Sequence, residues 1–327
     1  MIPVIWRSRS TSEITAILAA AAADSVHILH ANGEVEYVGL ESGVVHAAWQ
    51  GRERIEGSRF RFRAHQFRDG IITHGLDSVH HWSADGRNVR NRRLDSPIRS
   101  VTTIPGDGLF IDAGGARLHL LSPDLELMKT VDIPPGRVTQ LLPIDERETL
   151  VALVDRVLRL LDGEVAAQVM MPARLPPLVK YPRVGLARLA RFGSATLAQT
   201  MSGELYRITW APEPRLDAVG SGYLIGCLED GLVTWNVDGI RLLKMGRDDI
   251  STARWQPDLG SSIQAHAIFS GSDRDEALVV CQDTVWRMNS WSRVEIVAQT
   301  IREVTAESGL PSGGLLFAIG RDLCRVS

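Results

Sequence analysis

Three cysteines in 327 residues, with no Cys-x-x-Cys among them, leave no material for a disulfide framework. Cys227, Cys281 and Cys324 each sit singly inside an apolar run, the pattern of buried free thiols in a reducing compartment. No apolar run approaches the ~18 residues that a membrane-spanning helix needs, which excludes such a span. Aromatic residues make up only 6% of the chain and the net charge is −3, a poor combination for general binding of phosphate backbones. Gly-x-Ser-x-Gly, His-Glu-x-x-His and the phosphate loop are all missing, so the commonest hydrolase, zinc-peptidase and nucleotide-binding signatures are absent. Pro- or Ser-rich linkers are missing too, and the chain reads as one domain over residues 1–327. What remains is ordinary globular composition, able to bury a large core.

What the chain does have is rhythm. Tight turns fall at Asn32-Gly33, Asp85-Gly86, Pro123-Asp124, Asp162-Gly163, Ser202-Gly203 and Asp238-Gly239, with a less clean one from Asn289 to Ser292. The second residues of the first six are 53, 38, 39, 40 and 36 residues apart. A period near 40 with four short β-prone runs per unit is the signature of a propeller blade. Residues 137–170 show it well: Val138 to Leu142, Thr149 to Val154, Val157 to Leu161 and Val165 to Val169 are separated by turn residues. Residues 98–133 and 262–298 repeat the plan.

First strands are expected near 12, 58, 98, 137, 176, 214, 262 and 300, which favours an all-β propeller of eight four-stranded blades. The last unit stops after Leu323 to Val326, where a fourth strand is due, and the opening Ile2 to Trp6 has no partner of its own. Pairing those two would close the ring and remove an open edge. The alternative makes Ile2 to Trp6 the first strand of the first unit and leaves seven blades. A second ambiguity sits beside it. Arg7, Arg9 and the run Ile14 to Ala23 resemble an export signal at 1–23, yet the same run falls where a first-blade strand is due. The strand reading, with a cytoplasmic protein, is preferred.

Val79-His80-His81-Trp82-Ser83-Ala84-Asp85-Gly86 and Leu232-Val233-Thr234-Trp235-Asn236-Val237-Asp238-Gly239 resemble the third strand and following turn of WD repeats, and Thr284-Val285-Trp286-Arg287 is similar. The resemblance covers the whole chain as a rhythm. Its motif departs from the family, with Ser83 and Asn236 where Trp-Asp would place the acid and no Gly-His pair opening a blade. It implies a propeller that serves as a platform, and it identifies no subfamily.

Arginine is the most unevenly spread residue. From Arg52 to Arg99 there are eleven arginines against six acids, so this stretch carries +5 and the rest of the chain −8. Arg59, Arg61 and Arg63 alternate with Phe60 and Phe62, and Arg90, Arg92 and Arg93 fall on an expected fourth strand. One reading is an anionic or acidic partner at the first two blades, since guanidinium offers a rigid fork to carboxylate. The other is a row of charges that discourages edge pairing. Histidines cluster as well, at 27, 30, 46, 65, 74, 80 and 81. On a strand, His27 and His30 point to opposite faces and His80 and His81 diverge, so a structural hydrogen bond is expected rather than a metal site.

The stretch 246–262 reads as the longest loop between blades, and its Arg254 and Trp255 are either a binding hot spot or a lid folded on the blade edge. Pro172 to Pro182 reads as a stiff connector. The expected function is a non-enzymatic interaction scaffold with a protein partner, without cofactor, metal or membrane. The alternative is an enzyme with a small-molecule site in the central channel.

Overall fold

A computed structural model describes residues 4–7, 12–19, 24–40, 42–51, 64–68, 70–105, 108–172, 186–192, 195–228, 231–236, 239–245, 250–257, 265–270, 276–281, 284–289, 293–299, 304–309, 315–319 and 322–326. β1 (Val4–Arg7) is followed by β2 (Ile14–Ala19), β3 (Ser25–His30), β4 (Glu34–Gly39) and β5 (Val45–Gln50), which form the first blade. β6 (Ala64–Phe67), β7 (Gly70–His74), β8 (Ser78–Trp82) and β9 (Asn88–Arg93) form the second. The third blade holds β10 (Ser100–Ile104), β11 (Gly108–Asp112), β12 (Arg117–Leu121) and β13 (Leu127–Asp132), and the fourth β14 (Val138–Pro143), β15 (Glu148–Leu153), β16 (Arg156–Leu161) and β17 (Glu164–Met170). β18 (Leu186–Phe192), β19 (Ala195–Thr200), β20 (Glu204–Thr209) and β21 (Arg215–Ser221) make the fifth. β22 (Tyr223–Leu228), β23 (Gly231–Asn236), β24 (Gly239–Met245) and β25 (Ile250–Pro257) make the sixth. β26 (Ala265–Ser270), β27 (Glu276–Cys281), β28 (Thr284–Asn289) and β29 (Arg293–Gln299) make the seventh. β30 (Ala306–Gly309), β31 (Leu315–Ile319) and β32 (Asp322–Val326) complete the list of strands.

The eighth blade is finished by β1. Val4 pairs with Cys324, Trp6 with Leu323 and Arg7 with Asp322, antiparallel, so the opening strand is the fourth strand of the last sheet. Eight blades are therefore present, not seven. The run Ile14–Ala19 is a first-blade strand, as its place in the repeat suggested, with Ile14 and Ile17 buried.

Burial explains why the second strand of each blade is the most legible. Every residue of β3, β11, β19 and β27 is buried, because both faces of these strands are covered. Such strands read as near-continuous apolar runs, whereas fourth strands such as β9 and β17 are mostly exposed and read as polar or mixed. Asp162-Gly163 shows how the turns work: φ is 50° and 73°, the positive pair that a two-residue hairpin requires.

The chain divides into two compact units, Met1–Arg93 with Leu259–Ser327, and Leu94–Asp258. In the first, Ile14, Ile28 and Val38 of the first blade pack against Leu316, Ala318 and Leu323 of the eighth. Leu29, Val35 and Ile71 join the first and second blades, and Leu278 and Val280 meet Phe317 and Cys324 between the seventh and eighth. In the second unit, Leu118 and Val131 pack on Val151 and Leu158, and Ala152 and Val157 on Leu189 and Ile208. Each fully buried Leu or Ile stabilises the fold by about 1.5–3 kcal/mol, so the seams between blades carry most of the apolar gain.

Side chains of one blade also tie the first strand of the next. The Gln140 amide donates to the Leu189 carbonyl at 3.1 Å and accepts from the Leu189 N–H at 2.7 Å. One blade further on, Leu224 N–H donates to Gln199 at 2.6 Å and its carbonyl accepts from Arg188 at 2.6 Å. Both leucines lie on the edge strands of their sheets, where alternate backbone groups have no partner in the ladder. Replacing Gln140 by Ala is expected to destabilise by about 2–3 kcal/mol, because both backbone groups of buried Leu189 lose their partner. Chemical denaturation of the variant checks this, and a loss under about 0.5 kcal/mol would mean that water replaces the amide.

Two expectations are corrected. Cys227 is exposed, while Cys281 and Cys324 are buried as expected. The bulge between Leu224 and Gly226 shifts the alternation, so Leu224 and Ile225 both turn inward and Cys227 outward. The 246–262 stretch is not a long loop: Ile250–Pro257 is β25, paired along its length with β24. Of Pro172 to Pro182, only Pro172 lies within the described residues.

Candidate interaction surface

β9 forms because it follows the Ser83 to Arg87 turn, which is held by local bonds. The Ser83 N–H donates to the Arg87 carbonyl at 3.0 Å, the Gly86 N–H donates to the Ser83 carbonyl at 3.0 Å, and the Ser83 hydroxyl donates to Asp85. That hydroxyl bond is the main reason the exposed Asp85 carboxyl sits below its usual range, with Arg87 at 3.1 Å adding to it. Gly86 is needed here: φ is 83° and a Cβ would stand 2.6 Å from the Trp49 ring of the first blade. The turn delivers Asn88–Arg93 to the edge of the second blade, where β8 is its paired strand among the described residues.

Arg90 and Arg93 are exposed on β9 and Arg92 is half-buried; Asn88, Val89 and Asn91 complete an open strip. Arg90 and Arg92 share one face by strand alternation, and Arg93, on the other, bonds Asp77 at 2.7 Å. The structure thus brings three of the expected site residues onto one strand. Arg59, Arg61 and Arg63 lie outside the described residues. Arg254 and Trp255 stand on β25, opposite Leu242 and Arg241. They are therefore strand residues, not loop residues.

The histidines take structural places. His30 Nδ1 lies 3.2 Å from the Ser12 carbonyl and its Nε2 3.4 Å from Glu36, both side chains fully buried. His27 stacks on Tyr37 at 4.9 Å and meets Trp49 edge-on at 5.9 Å; Trp49 in turn lies 6.4 Å from Trp82, and His80 stacks on Trp82. This run of rings bridges the first two blades. Trp82 also donates to Thr73 of the same blade at 2.8 Å, and Thr73 to the Gly51 carbonyl at the end of the first blade at 2.7 Å. Among the described residues no three His, Cys, Asp or Glu side chains converge in a way that could hold a metal ion.

Sequence reasoning missed two features. One is the ring run, whose members lie up to 55 residues apart, from His27 to Trp82. The other is a chain of ion pairs between the third and fourth blades, in which Lys129 meets Glu164 and the Asp162 carbonyl while Arg147 grips Asp162 with both forks at 2.8 and 2.6 Å. The Arg147 guanidinium holds the Asp162 carboxyl below its usual range.

Eight four-stranded antiparallel blades, the Trp82–Thr73 bond and the β1–β32 closure decide the architecture. The fold is that of the WD40 propeller. It is similar to the C-terminal WD40 domain of Sif2 with a TM-score of 0.72 at 11% identity, over 100% of this chain and 99% of that one. It is similar to the computationally designed Ika8 protein (0.75, 12% identity, all of both chains) and to the Cps50 (Swd1) β-propeller domain of Myceliophteria thermophila (0.61, 10%, all of both chains). No family model matches the sequence, and no curated protein matches it significantly. At these identities the likeness is one of WD40 propeller fold. Among the described residues no helix is long and apolar enough to cross a membrane.

Proposed function

We propose that this WD40-type propeller is a non-enzymatic platform for protein–protein interaction, and that its partner presents acidic groups to β9. The observation that carries the reading is the exposure of Arg90 and Arg93 beside Arg92 on a sheet edge with no acid on the strand itself. Guanidinium groups on a fixed strand offer pre-set forks to carboxylates, and arginine is enriched where protein interfaces gain their energy. A nucleic-acid partner is disfavoured by the net charge of −3 and the scarcity of aromatics. The buried thiols of Cys281 and Cys324 suit a reducing compartment such as the cytoplasm.

Affinity purification of the tagged full-length chain from its host, after nuclease treatment, tests the proposal against the double reversal Arg90→Glu, Arg92→Glu. A stoichiometric protein that falls at least about tenfold in the variant is the expected result, with Arg215→Glu on β21 as the control reversal. Equal recovery with both reversals would remove β9 from the interface.

A further inference from the structure

We propose that the fifth and sixth blades hold a carboxylate-binding site built on Arg188 and Gln199, and that its ligand is a small organic acid.

The starting point is a tie made by two side chains where the preceding blade uses one. Between the fourth and fifth blades a single amide suffices, with Gln140 taking both backbone groups of Leu189. Gln140 and Arg188 hold the same place in their blades, directly past the register shift of the first strand. Arg188 supplies only half of its tie, donating from Nη1 to the Leu224 carbonyl. The other half comes from Gln199 Oε1, which accepts from the Leu224 N–H. Arg188 and Gln199 are cross-strand partners, so their side chains leave one face of the sheet and meet at one residue. Gln140 has Ala152 opposite it and works alone.

The result is a surplus of donors. The Leu224 N–H fixes the Gln199 amide by its oxygen, and the Nε2 of this 5% exposed residue has no protein partner among the described residues. Arg188 commits one of its five N–H donors to Leu224 and meets no carboxylate among the described residues. Its side chain is exposed, yet the protein around it pushes the guanidinium pKa down and no acid pushes it back. The first strands of this unit offer none: β10, β14, β18 and β22 hold two arginines and no Asp or Glu. The second of those arginines, Arg191, acts on Asp145. What Arg188 and Gln199 have left over is donors side by side, the complement of an oxyanion.

Charge selects the carboxylate. One guanidinium and one neutral amide balance a singly charged group, whereas a phosphate, close to doubly charged, would leave an excess in a partly desolvated place. The guanidinium fork also takes two carboxylate oxygens at once. A ligand that touches the nearly buried Gln199 amide must reach below the surface, which a small acid does and the outer face of a folded partner does not.

Acetate titrated at constant ionic strength into isotope-labelled full-length protein, with inorganic phosphate as the comparison, tests the site by NMR. The signals read are the Gln199 side-chain amide, assigned through Gln199→Ala, and the Leu224 backbone N–H. Expected are saturable shifts of both with acetate, a weaker response to phosphate, and at least about tenfold weaker acetate binding in Arg188→Gln. That variant installs the residue that makes the tie alone at Gln140, so the fold should hold. Gln199→Glu is the second variant: it keeps an acceptor for the Leu224 N–H and gives Arg188 an internal carboxylate, so acetate should be lost there too. No saturable shift with acetate, or undiminished binding in both variants, would overturn the site. Phosphate binding tighter than acetate would overturn the carboxylate. Recovery of the protein co-purified through β9 should not change in Arg188→Gln, and its loss there would overturn the small acid by assigning the carboxylate to that partner.

Discussion

Deleting residues 1–8 is expected to lower the midpoint of thermal unfolding by about 5–10 °C and to turn the protein into a self-associating species. β1 reaches the eighth blade through three register pairs, Val4 with Cys324, Trp6 with Leu323 and Arg7 with Asp322. Losing the three or four main-chain bonds behind them costs about 3–4 kcal/mol at about 1 kcal/mol each. A domain of this size shifts by roughly 2 °C per kcal/mol, which gives the range. The second consequence is structural. Without β1, β32 becomes a sheet edge, and Leu323 and Cys324, now buried, belong to that edge strand. A peptide spanning residues 1–11 supplied in trans should restore the midpoint and the elution volume of the full-length chain, since it replaces the missing strand. A truncated chain that melts within about 1 °C of the full-length one and elutes as a monomer would show that β1 is dispensable for closure.

The closure could be anticipated because it follows from counting. The last unit lacks one strand and the first has one spare, whatever the details in between. The tight turns also gave the blade number, although they mark different hairpins. Asn32-Gly33, Ser202-Gly203 and the turn before Gly239 join second to third strands, whereas Asp85-Gly86, Pro123-Asp124 and Asp162-Gly163 join third to fourth. One tight turn per blade keeps the period near 40 even when the turn changes place. The cost of that drift appears in the fifth and sixth blades. Aligning Ser202-Gly203 with Asp162-Gly163 puts the next blade's first strand near 214, which is occupied by β21, the fourth strand of the fifth blade. The same slip assigns Trp235 to a third strand, when it stands on the second, β23, and leaves β25 looking like a loop. Trp82 and Trp286 do fall on third strands, β8 and β28.

The candidate surface was legible to the extent that it depends on one strand. A run of arginines after an Asp-Gly turn identifies β9 without reference to anything distant. The ring run was not legible, because its contacts depend on the register of β3 with β4 and on how the first blade seats against the second. His27 faces Tyr37 by register, and Trp49 meets Trp82 only across the seam between blades. Sequence spacing holds neither piece of information. The histidines could be counted, and a structural use for them foreseen, without knowing which rings they would touch.

That ring run is expected to make the protein acid-sensitive through His27. Its imidazole is fully buried between Tyr37 and Trp49. Burial pushes its pKa from 6.5 down to about 4, with the Ala84 backbone as a smaller opposing influence. In the unfolded chain the ring takes its proton as pH falls through 6.5; in the folded chain it stays neutral until about 4. The unfolded state therefore binds more protons throughout that window, and stability falls as pH drops from about 6.5 toward 4. The gap corresponds to a loss of about 3 kcal/mol by pH 4, with no contribution from this residue above about pH 7. His27→Phe keeps a flat ring between Tyr37 and Trp49 and removes the titration. Its stability at pH 8 should lie within about 2 kcal/mol of the parent, since neither ring nitrogen makes a hydrogen bond that the change would remove and the new ring adds a little volume. Between pH 6.5 and pH 4 its stability should fall less steeply than the parent's, narrowing or reversing the difference by about 3 kcal/mol. Chemical denaturation of both proteins at half-unit pH steps reads this directly, and parallel curves across the window would mean that His27 is protonated in the folded protein as readily as in the unfolded one.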